Sequence, residues 1–238
     1  VLKAGVGQQL KCGVINGAAA IGTLLSVDTG GVTLQLDSSE EGLLPPAPVT
    51  VLIAHPRPIV FKRMLKDLTT IGVEEIRVFI GERGERSYAD SSLWIDDAYR
   101  RFLVDGAMQA GSTVLPRVEL CRSLAEHLSA MGEGEEKSPF ANGATVLRFL
   151  SDEKAGPERS LWSIVEKLGP LPHRAKSVAA FGPERGWSSR ERDALGEAGF
   201  AACSLGPRTL RSETAVLVMT ATLVGSYARA AGSGESQR

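Results

Sequence analysis

The sequence is poor in the residues that build disulfide frameworks and metal centres. Its 238 residues include only three cysteines and three histidines, without a CxxC pair or histidines at ligand spacing. This composition predicts no metal site and no disulfide framework, and it favours a reducing compartment such as the cytoplasm. The longest apolar run, residues 214–224, is too short to cross a bilayer. No cationic and apolar leader opens the sequence, so neither a membrane anchor nor a signal peptide is expected.

The sequence also lacks an excess of either charge and two common nucleotide-binding motifs. The formal net charge is −1, so a polyanionic partner would have to bind a local cluster of basic residues. Neither a GxGxxG motif after an early strand nor a GxxxxGK[ST] motif occurs, which argues against a nucleotide-dependent dehydrogenase or kinase. Apolar residues at 43% and charged residues at 23% fit a soluble globular protein.

The two ends of the sequence differ in hydrophobic period. Within residues 1–37, apolar and polar residues alternate, and Asn-Gly and Gly-Gly pairs lie at expected hairpin turns. A small β-barrel or meander is predicted there, followed by a proline-bearing linker at 38–48. After the linker, short apolar runs alternate with helical patterns, which predicts a mostly parallel α/β sheet.

Local signals place the elements of that sheet. Gly72 is expected to end the first helix, and Ser188 with Glu191 forms a predicted capping box. Ser91 or Ser92 is expected to begin a long helix. Strands are predicted at 49–54, 75–80, 116–120, 144–150, 177–181 and 200–204, and helices at 59–71, 91–110, 123–131, 160–168, 188–199 and 212–230.

Two loops near the C-terminus depart from plain scaffold composition. Residues 181–187 read FGPERGW, and residues 205–215 read LGPRTLRSETA. Each follows a predicted strand and precedes a predicted helix, where ligands bind in open α/β sheets. Glycine lets the main chain approach a ligand closely. Either loop alone is equally consistent with an ordinary turn, but the pair predicts a ligand site.

The paired loops resemble those of the RsmE family, SPOUT-class enzymes that methylate uridine N3 in 16S ribosomal RNA. The family's first loop reads GPEGG before an aromatic residue, and its second reads LG-x-x-ILR-x-ETA. Weaker matches follow in the right order: VLK with Gly7, Lys66 before Gly72-Val73, and Gln109 before Pro116. The second loop matches at Leu205, Gly206, Leu210, Arg211, Glu213, Thr214 and Ala215.

Several positions depart from the family pattern. Arg185 stands where the first loop has a glycine, which places a cation beside the expected cofactor. Ile71, Met108 and Ser112 replace two glutamates and an arginine, and Lys3 replaces an arginine. Two alternatives therefore stay open: a catalytically degenerate RNA-binding relative, and a SPOUT methyltransferase with a different RNA target.

The resemblance implies an architecture, a cofactor and an assembly. A PUA-like, RNA-binding β-barrel lacking its first strand would span residues 1–45, and a SPOUT-type, trefoil-knotted, mostly parallel sheet would span 46–238. S-adenosyl-L-methionine is the implied cofactor and a homodimer the implied assembly. A dimer interface through the last helix, or equally packing on the parent sheet, would bury Val216, Leu217, Met219 and Leu223. By position, the cofactor-binding candidates are Leu150, Gly182, Glu184, Gly186, Leu205, Gly206, Leu210 and Arg211.

The resemblance also implies a chemistry: methyl transfer to a deprotonated uridine nitrogen of small-subunit ribosomal RNA. Arg211 would stabilise charge developing on the uracil. Glu213 would orient Arg211, although a first-turn carboxylate is also favoured by the helix dipole alone. Arg208 is a candidate for holding an RNA phosphate. The remaining RNA-binding candidates form a basic stretch without acids, for which a solvated helix face is the simpler reading: Arg57, Lys62, Arg63 and Lys66.

Overall fold

The computed structural model describes residues 4–38, 44–130, 146–171 and 175–234. Several sequence predictions lie wholly or partly outside these ranges: the opening VLK match, residues 39–43 of the linker, the end of the helix at 123–131, the first two residues of the strand at 144–150, and a loop expected from the polar, Gly- and Glu-rich composition of 132–139. Within the described ranges, no helix is long and apolar enough to cross a membrane.

The N-terminal part forms a three-stranded antiparallel sheet in the order β1-β2-β3. Its turns are fixed by side chains, since the carboxylate of Asp28 accepts hydrogen bonds from the N–H groups of Gly30 and Gly31. Asn16 attaches the sheet to the rest of the molecule: its N–H donates to the Thr113 carbonyl over 2.8 Å. The strands are β1 (Gln9–Gly13), β2 (Ala19–Asp28) and β3 (Gly31–Ser38).

The rest of the protein is built on a six-stranded sheet with the order β6-β5-β4-β8-β7-β9. Every neighbouring pair is parallel, which confirms the predicted α/β class. All carboxyl ends therefore open onto one edge of the sheet. The strands are β4 (Ala47–Ala54), β5 (Val73–Phe79), β6 (Arg117–Cys121), β7 (Val146–Ser151), β8 (Lys176–Phe181) and β9 (Ala201–Cys203).

Helices cover both faces of this sheet because the inner strands are apolar on both sides. One core contains side chains of α1, α2, α4 and α6, and a second core contains side chains of α3 and α5. Gly72 ends α1 with φ 87°, as predicted. The helices are α1 (Pro58–Ile71), α2 (Arg100–Ala110), α3 (Leu124–Ala130), α4 (Leu161–Leu168), α5 (Ser189–Glu197) and α6 (Ser212–Gly234).

The prediction of one long helix at 91–110 is wrong in its first half. Two short 3-10 turns, Arg86–Asp90 and Ile95–Asp97, occupy the stretch before α2. The cause is a tertiary contact: the Trp94 indole N–H donates to Nε2 of buried His55 over 2.9 Å. This bond and the surrounding aromatic rings hold Trp94 against β4, and Asp97 adopts φ 54°.

The apolar stripe of α6 belongs to the core of its own chain. Val216, Met219 and Leu223 are each 0% exposed and pack in the same core as α1 and β4. Of the two alternatives for these three residues, packing on the parent sheet therefore accounts for their burial. Leu217 is half-buried at the margin of that core.

The end of β9 is hydrogen-bonded on two sides. The Cys203 carbonyl accepts from the N–H of Asp152, just beyond β7, over 3.2 Å. One residue on, the N–H of Ser204 donates to the Arg159 carbonyl over 2.9 Å, and its carbonyl accepts from Leu161 over 3.0 Å. The segment 203–204 thus lies between two ends of one loop, residues 152–160.

Candidate functional site: a cavity between three loops

A cavity of about 250 Å³ lies at the carboxyl ends of β7, β8 and β9. The chain passes from β7 to its neighbour β8, then returns past β7 to reach β9. Connections that reverse direction in this way open a crevice in which α/β proteins bind ligands. Three loops line the cavity, at 151–153, 181–187 and 203–210, together with Ser212 and Ala215.

The loop at 181–187 is closed by glycines and a tryptophan. Gly186 has φ 70°, and its N–H donates to the Pro183 carbonyl over 2.8 Å. A Cβ on Gly182 would lie 3.0 Å from ring atoms of Trp187, so the main chain comes as close to the ring as it can. Trp187 is 2% exposed, stacks on Phe79 and donates its indole N–H to the Ser151 carbonyl over 2.9 Å.

The predicted capping box anchors this loop from its C-terminal side. The Glu191 carboxylate accepts from the Ser188 N–H over 2.8 Å, and the Ser188 hydroxyl accepts from the Glu191 N–H over 3.0 Å. The second oxygen of Glu191 accepts from the N–H of Glu82, beyond β5. Glu191 therefore both caps its own helix and joins the loop at 181–187 to the loop that follows β5.

An ion pair joins the loop to the end of β7. Nε of Arg192 lies 2.7 Å from one Asp152 oxygen, and its Nη2 lies 3.2 Å from the other. The third donor, Nη1, binds the Trp187 carbonyl over 2.8 Å. Asp152 is 7% exposed, so this bidentate pair is largely removed from solvent.

The loop at 205–211 has few internal contacts. The Ser204 hydroxyl and the Gly206 N–H are 3.3 Å apart, and Gly206 has φ 118°. Residues 206–209 are exposed, and Leu210 is half-buried against the cavity. At the end of the loop, Arg211 has an 86% exposed side chain with a nitrogen 3.9 Å from the Glu213 carboxylate.

The structure brings together most of the predicted cofactor residues. Leu150 does not line the cavity: it is 3% exposed in the core, one residue before Ser151, which does. Arg211 also lies outside the lining. The predicted residues that line the cavity are Gly182, Glu184, Gly186, Leu205, Gly206 and Leu210.

Sequence reasoning missed the contribution of the loop after β7. Ser151, Asp152 and Glu153 line the cavity, although only Leu150 was predicted there. The rule that ligands bind beyond strand ends applies to β7 as well as to β8 and β9, so this signal was available. Arg192 was missed for a different reason, because its role depends on a partner forty residues away.

The RNA-binding candidates fall into two groups. Arg208 lines the cavity, and Nε of Arg57 lies 4.0 Å from the Glu184 carboxylate of the first loop. The lysines of α1 are elsewhere: Lys62 and Lys66 lie 5.8 and 5.5 Å from the centre of the Phe102 ring of α2. Lys66 also pairs with Asp105, and Arg63 is exposed between them.

The cavity's chemistry is that of main-chain groups and arginines. Burial raises the pKa of the Cys203 thiol to about 12, so this lining residue stays protonated and is no nucleophile. No group of three or more histidine, cysteine or acidic side chains is placed to hold a metal in the parts of the chain that the structure describes.

This fold and site define the chain's class. Residues 44–224 match the family model of an RNA methyltransferase domain, a range that contains the whole six-stranded sheet and all three cavity loops.

The chain also has relatives at the level of individual proteins. It is 30% identical to the ribosomal RNA small subunit methyltransferase E of Treponema pallidum over 234 residues, which are 95% of this chain and 80% of the relative. It is 31% identical over 167 residues to the ribosomal RNA small subunit methyltransferase E 1 of Borreliella burgdorferi, and the match covers 70% of this chain and 63% of the relative. The chain belongs to the RsmE family of ribosomal RNA methyltransferases.

A solved structure shares the fold. The ribosomal RNA small subunit methyltransferase E of Neisseria gonorrhoeae, bound to S-adenosyl methionine, superposes with a TM-score of 0.70 at 19% identity. The match covers 93% of this chain and 84% of that one.

Proposed function

We propose that this chain transfers the methyl group of S-adenosyl-L-methionine to N3 of a uridine in 16S ribosomal RNA. The observation that carries the proposal is the glycine-lined cavity between the ends of β7, β8 and β9. The relatives of this chain are named as methyltransferases of small-subunit ribosomal RNA, and one related structure has S-adenosyl methionine bound.

The residues present fit such a cofactor. Gly182 leaves no room for a Cβ beside Trp187, and both Gly182 and Gly186 line the cavity without side chains, so a ligand can approach the main chain of the first loop closely. The groups proposed to hold the cofactor are those of Gly182, Glu184, Gly186, Gly206 and Leu210, with Leu205 packing on its apolar part. The cavity's volume, about 250 Å³, lies just below the usual range for small-molecule sites, about 300–1,000 Å³. When bound, S-adenosylmethionine supplies an electrophilic methyl group.

The protein's own residues then hold and polarise the uridine. Alignment of the nucleophilic nitrogen by a fixed cavity wall can contribute several kcal/mol to barrier lowering. Arg211 is proposed to stabilise negative charge developing on the uracil. Glu213 is proposed as the positioning residue that orients the Arg211 side chain. The exposed Arg208, on the cavity rim, is proposed to hold a phosphate of the RNA backbone.

The three-dimensional framework of the family is proposed for this chain as well. We propose the family's trefoil knot at the C-terminal end of the sheet, an exception to the rule against threaded chains, and the hydrogen bonds from 203–204 to both ends of the loop 152–160 support it. We propose the division into a PUA-like barrel at 1–45 and a methyltransferase domain at 46–238, which the separate three- and six-stranded sheets support. We also propose a homodimer in the cytoplasm, with Trp162 of α4, 49% exposed beside α6, at its interface.

The proposal is tested by tritium transfer from labelled S-adenosylmethionine to unmethylated small-subunit RNA, followed by mapping of the labelled base. Label on N3 of a single uridine is the expected result. Label at another atom would assign a different RNA target, and cofactor binding by calorimetry without any labelled RNA would assign a degenerate relative.

A further inference from the structure

A second cavity lies at the same edge of the sheet, beyond β5 and β6. Its volume is about 620 Å³. The roles proposed for the first cavity do not use it. The residues on which its chemistry depends are Gly81, Glu82, Arg86, Asp90, Arg122 and Ser123.

The two cavities share a wall. A Cβ on Gly81, which lines the second cavity, would lie 3.5 Å from Cδ of Pro183, which lines the first. Beside this contact, Nη1 of Arg83 donates to the Arg185 carbonyl over 3.3 Å. A chain-like ligand leaving the first cavity over Arg185 would therefore reach the second across one pair of touching loops.

The edge that joins the cavities carries several arginines that are not in ion pairs. Three of its carboxylates are neutralised, because Glu82 pairs with Arg190, Glu184 with Arg57 and Asp152 with Arg192. Along this edge, five exposed arginines have no carboxylate within 4.0 Å among the residues that the structure describes: Arg83, Arg86, Arg122, Arg185 and Arg208.

Unpaired carboxylates also lie along this edge. Asp90 in the second cavity, Glu153 in the first, Glu85 beside Arg86 and Glu126 beside Arg122 have no basic partner within the described ranges, so five unpaired arginines face four unpaired acids. Exposed guanidinium groups bind phosphate through paired N–H donors. The five arginines can therefore contact a phosphate backbone even though the whole chain has a net charge of −1.

We propose that the RNA strand flanking the target nucleotide runs from the first cavity over Arg185 and Arg83 into the second cavity. There Arg86 and Arg122 hold a phosphate of a flanking nucleotide, whose base occupies the cavity. This inference rests on the proposed function for the nature of the ligand. It extends the RNA surface to residues outside the basic stretch of α1.

The test uses the full chain with Arg86→Glu and Arg122→Glu combined. A matched control, Lys167→Glu with Lys176→Glu, makes the same charge change at the opposite edge of the sheet, where α4 ends and β8 begins. Binding of a labelled twelve-residue oligouridylate is measured by fluorescence anisotropy across a salt series. Calorimetry with S-adenosylmethionine and thermal unfolding check that both variants keep the fold and the first cavity.

The expected result is a loss of at least about tenfold in affinity for the arginine variant, and a salt slope shallower by about 0.7, since the variant loses one single-strand phosphate contact and each contributes about 0.7. A three-residue oligouridylate should lose much less. Equal affinities and slopes for the arginine variant and the control would overturn the proposal.

A second measurement keeps the two proposals separate. Oligouridylate containing 4-thiouridine is photocrosslinked to the unsubstituted protein, and we expect crosslinks within 80–90 or 120–123. Crosslinks confined to 181–211 would overturn the second-cavity proposal while leaving the methyltransferase intact. Failure of the proposed function would instead show as absent methyl transfer to the RNA, with the RNA crosslinks unchanged.

Discussion

The two loops that face each other across the first cavity are held in opposite ways. The loop at 181–187 is fixed by the Trp187 indole, the Arg192 ion pair and the Glu191 carboxylate. The loop at 205–211 has one serine contact within it and four consecutive exposed residues. The difference indicates separate roles: the loop at 181–187 is preorganised to bind the cofactor, and the loop at 205–211 contacts the substrate.

The largest effect is expected from removing the ion pair that fixes the loop at 181–187. Arg192→Ala leaves the Asp152 carboxylate, 6% exposed, without its partner. Loss of one member of a largely buried pair costs about 3–5 kcal/mol. We expect that fall in the free energy of unfolding, measured by urea denaturation. Arg190→Ala is the control, because its pair with Glu82 is exposed and worth about 0–1 kcal/mol; equal losses in both would contradict the bracing role.

Substitutions in the loop at 205–211 should lower methyl transfer without lowering the stability of the fold. We expect Arg211→Ala to lower kcat about 10²–10³-fold with an unchanged unfolding midpoint, because it removes one stabiliser of developing charge. Arg208→Ala should instead raise KM for RNA, as expected for a phosphate contact made equally before and during the reaction. Unchanged turnover in the Arg211 variant would remove that residue from the mechanism.

A smaller change tests the close approach of main chain and ring. Gly182→Ala places a Cβ 3.0 Å from Trp187, and such overpacking costs about 1–3 kcal/mol. We expect that loss in stability together with weaker binding of S-adenosylmethionine by calorimetry. Gly196→Ala, on α5 with no atom near the added Cβ, should keep full affinity; if Gly182→Ala also kept it, the glycine would not be needed.

The smallest effect concerns Arg185, where the family has glycine. Its side chain is exposed at the cavity, and its carbonyl is already bound by Arg83. We expect Arg185→Gly to tighten cofactor binding severalfold, measured by calorimetry, since a side chain leaves the cavity mouth. Weaker binding would mean that the arginine is a working part of an altered pocket.

The features that could be predicted from the sequence are those set by local patterns, namely the helix ends and the glycine loops. Gly72 and the pair Ser188–Glu191 were identifiable because helix ends are set by residues one turn apart. The glycine loops were identifiable from their motif. The ion pair of Arg192 with Asp152 was not, since forty residues separate its members and only the sheet brings them together.

Tertiary contacts account for the features that the sequence did not determine. Residues 91–99 have a capping serine and apolar spacing that favour a helix, but the bond from Trp94 to His55 overrides this preference. The stripe on α6 has the same period whether it packs on its own sheet or on a partner, so no sequence argument separates the two. Leu150 was one residue off because the cavity begins where β7 ends.

The clamping of Ser204 between the two ends of the loop 152–160 also bears on how the cavity comes into being. These hydrogen bonds join residues more than forty positions apart, and contacts of such long sequence separation slow folding because the closure of a long loop must come first. The two glycine loops lie together only when the C-terminal segment has reached the loop 152–160. A methyl donor that binds only the assembled cavity would therefore stabilise that segment by mass action.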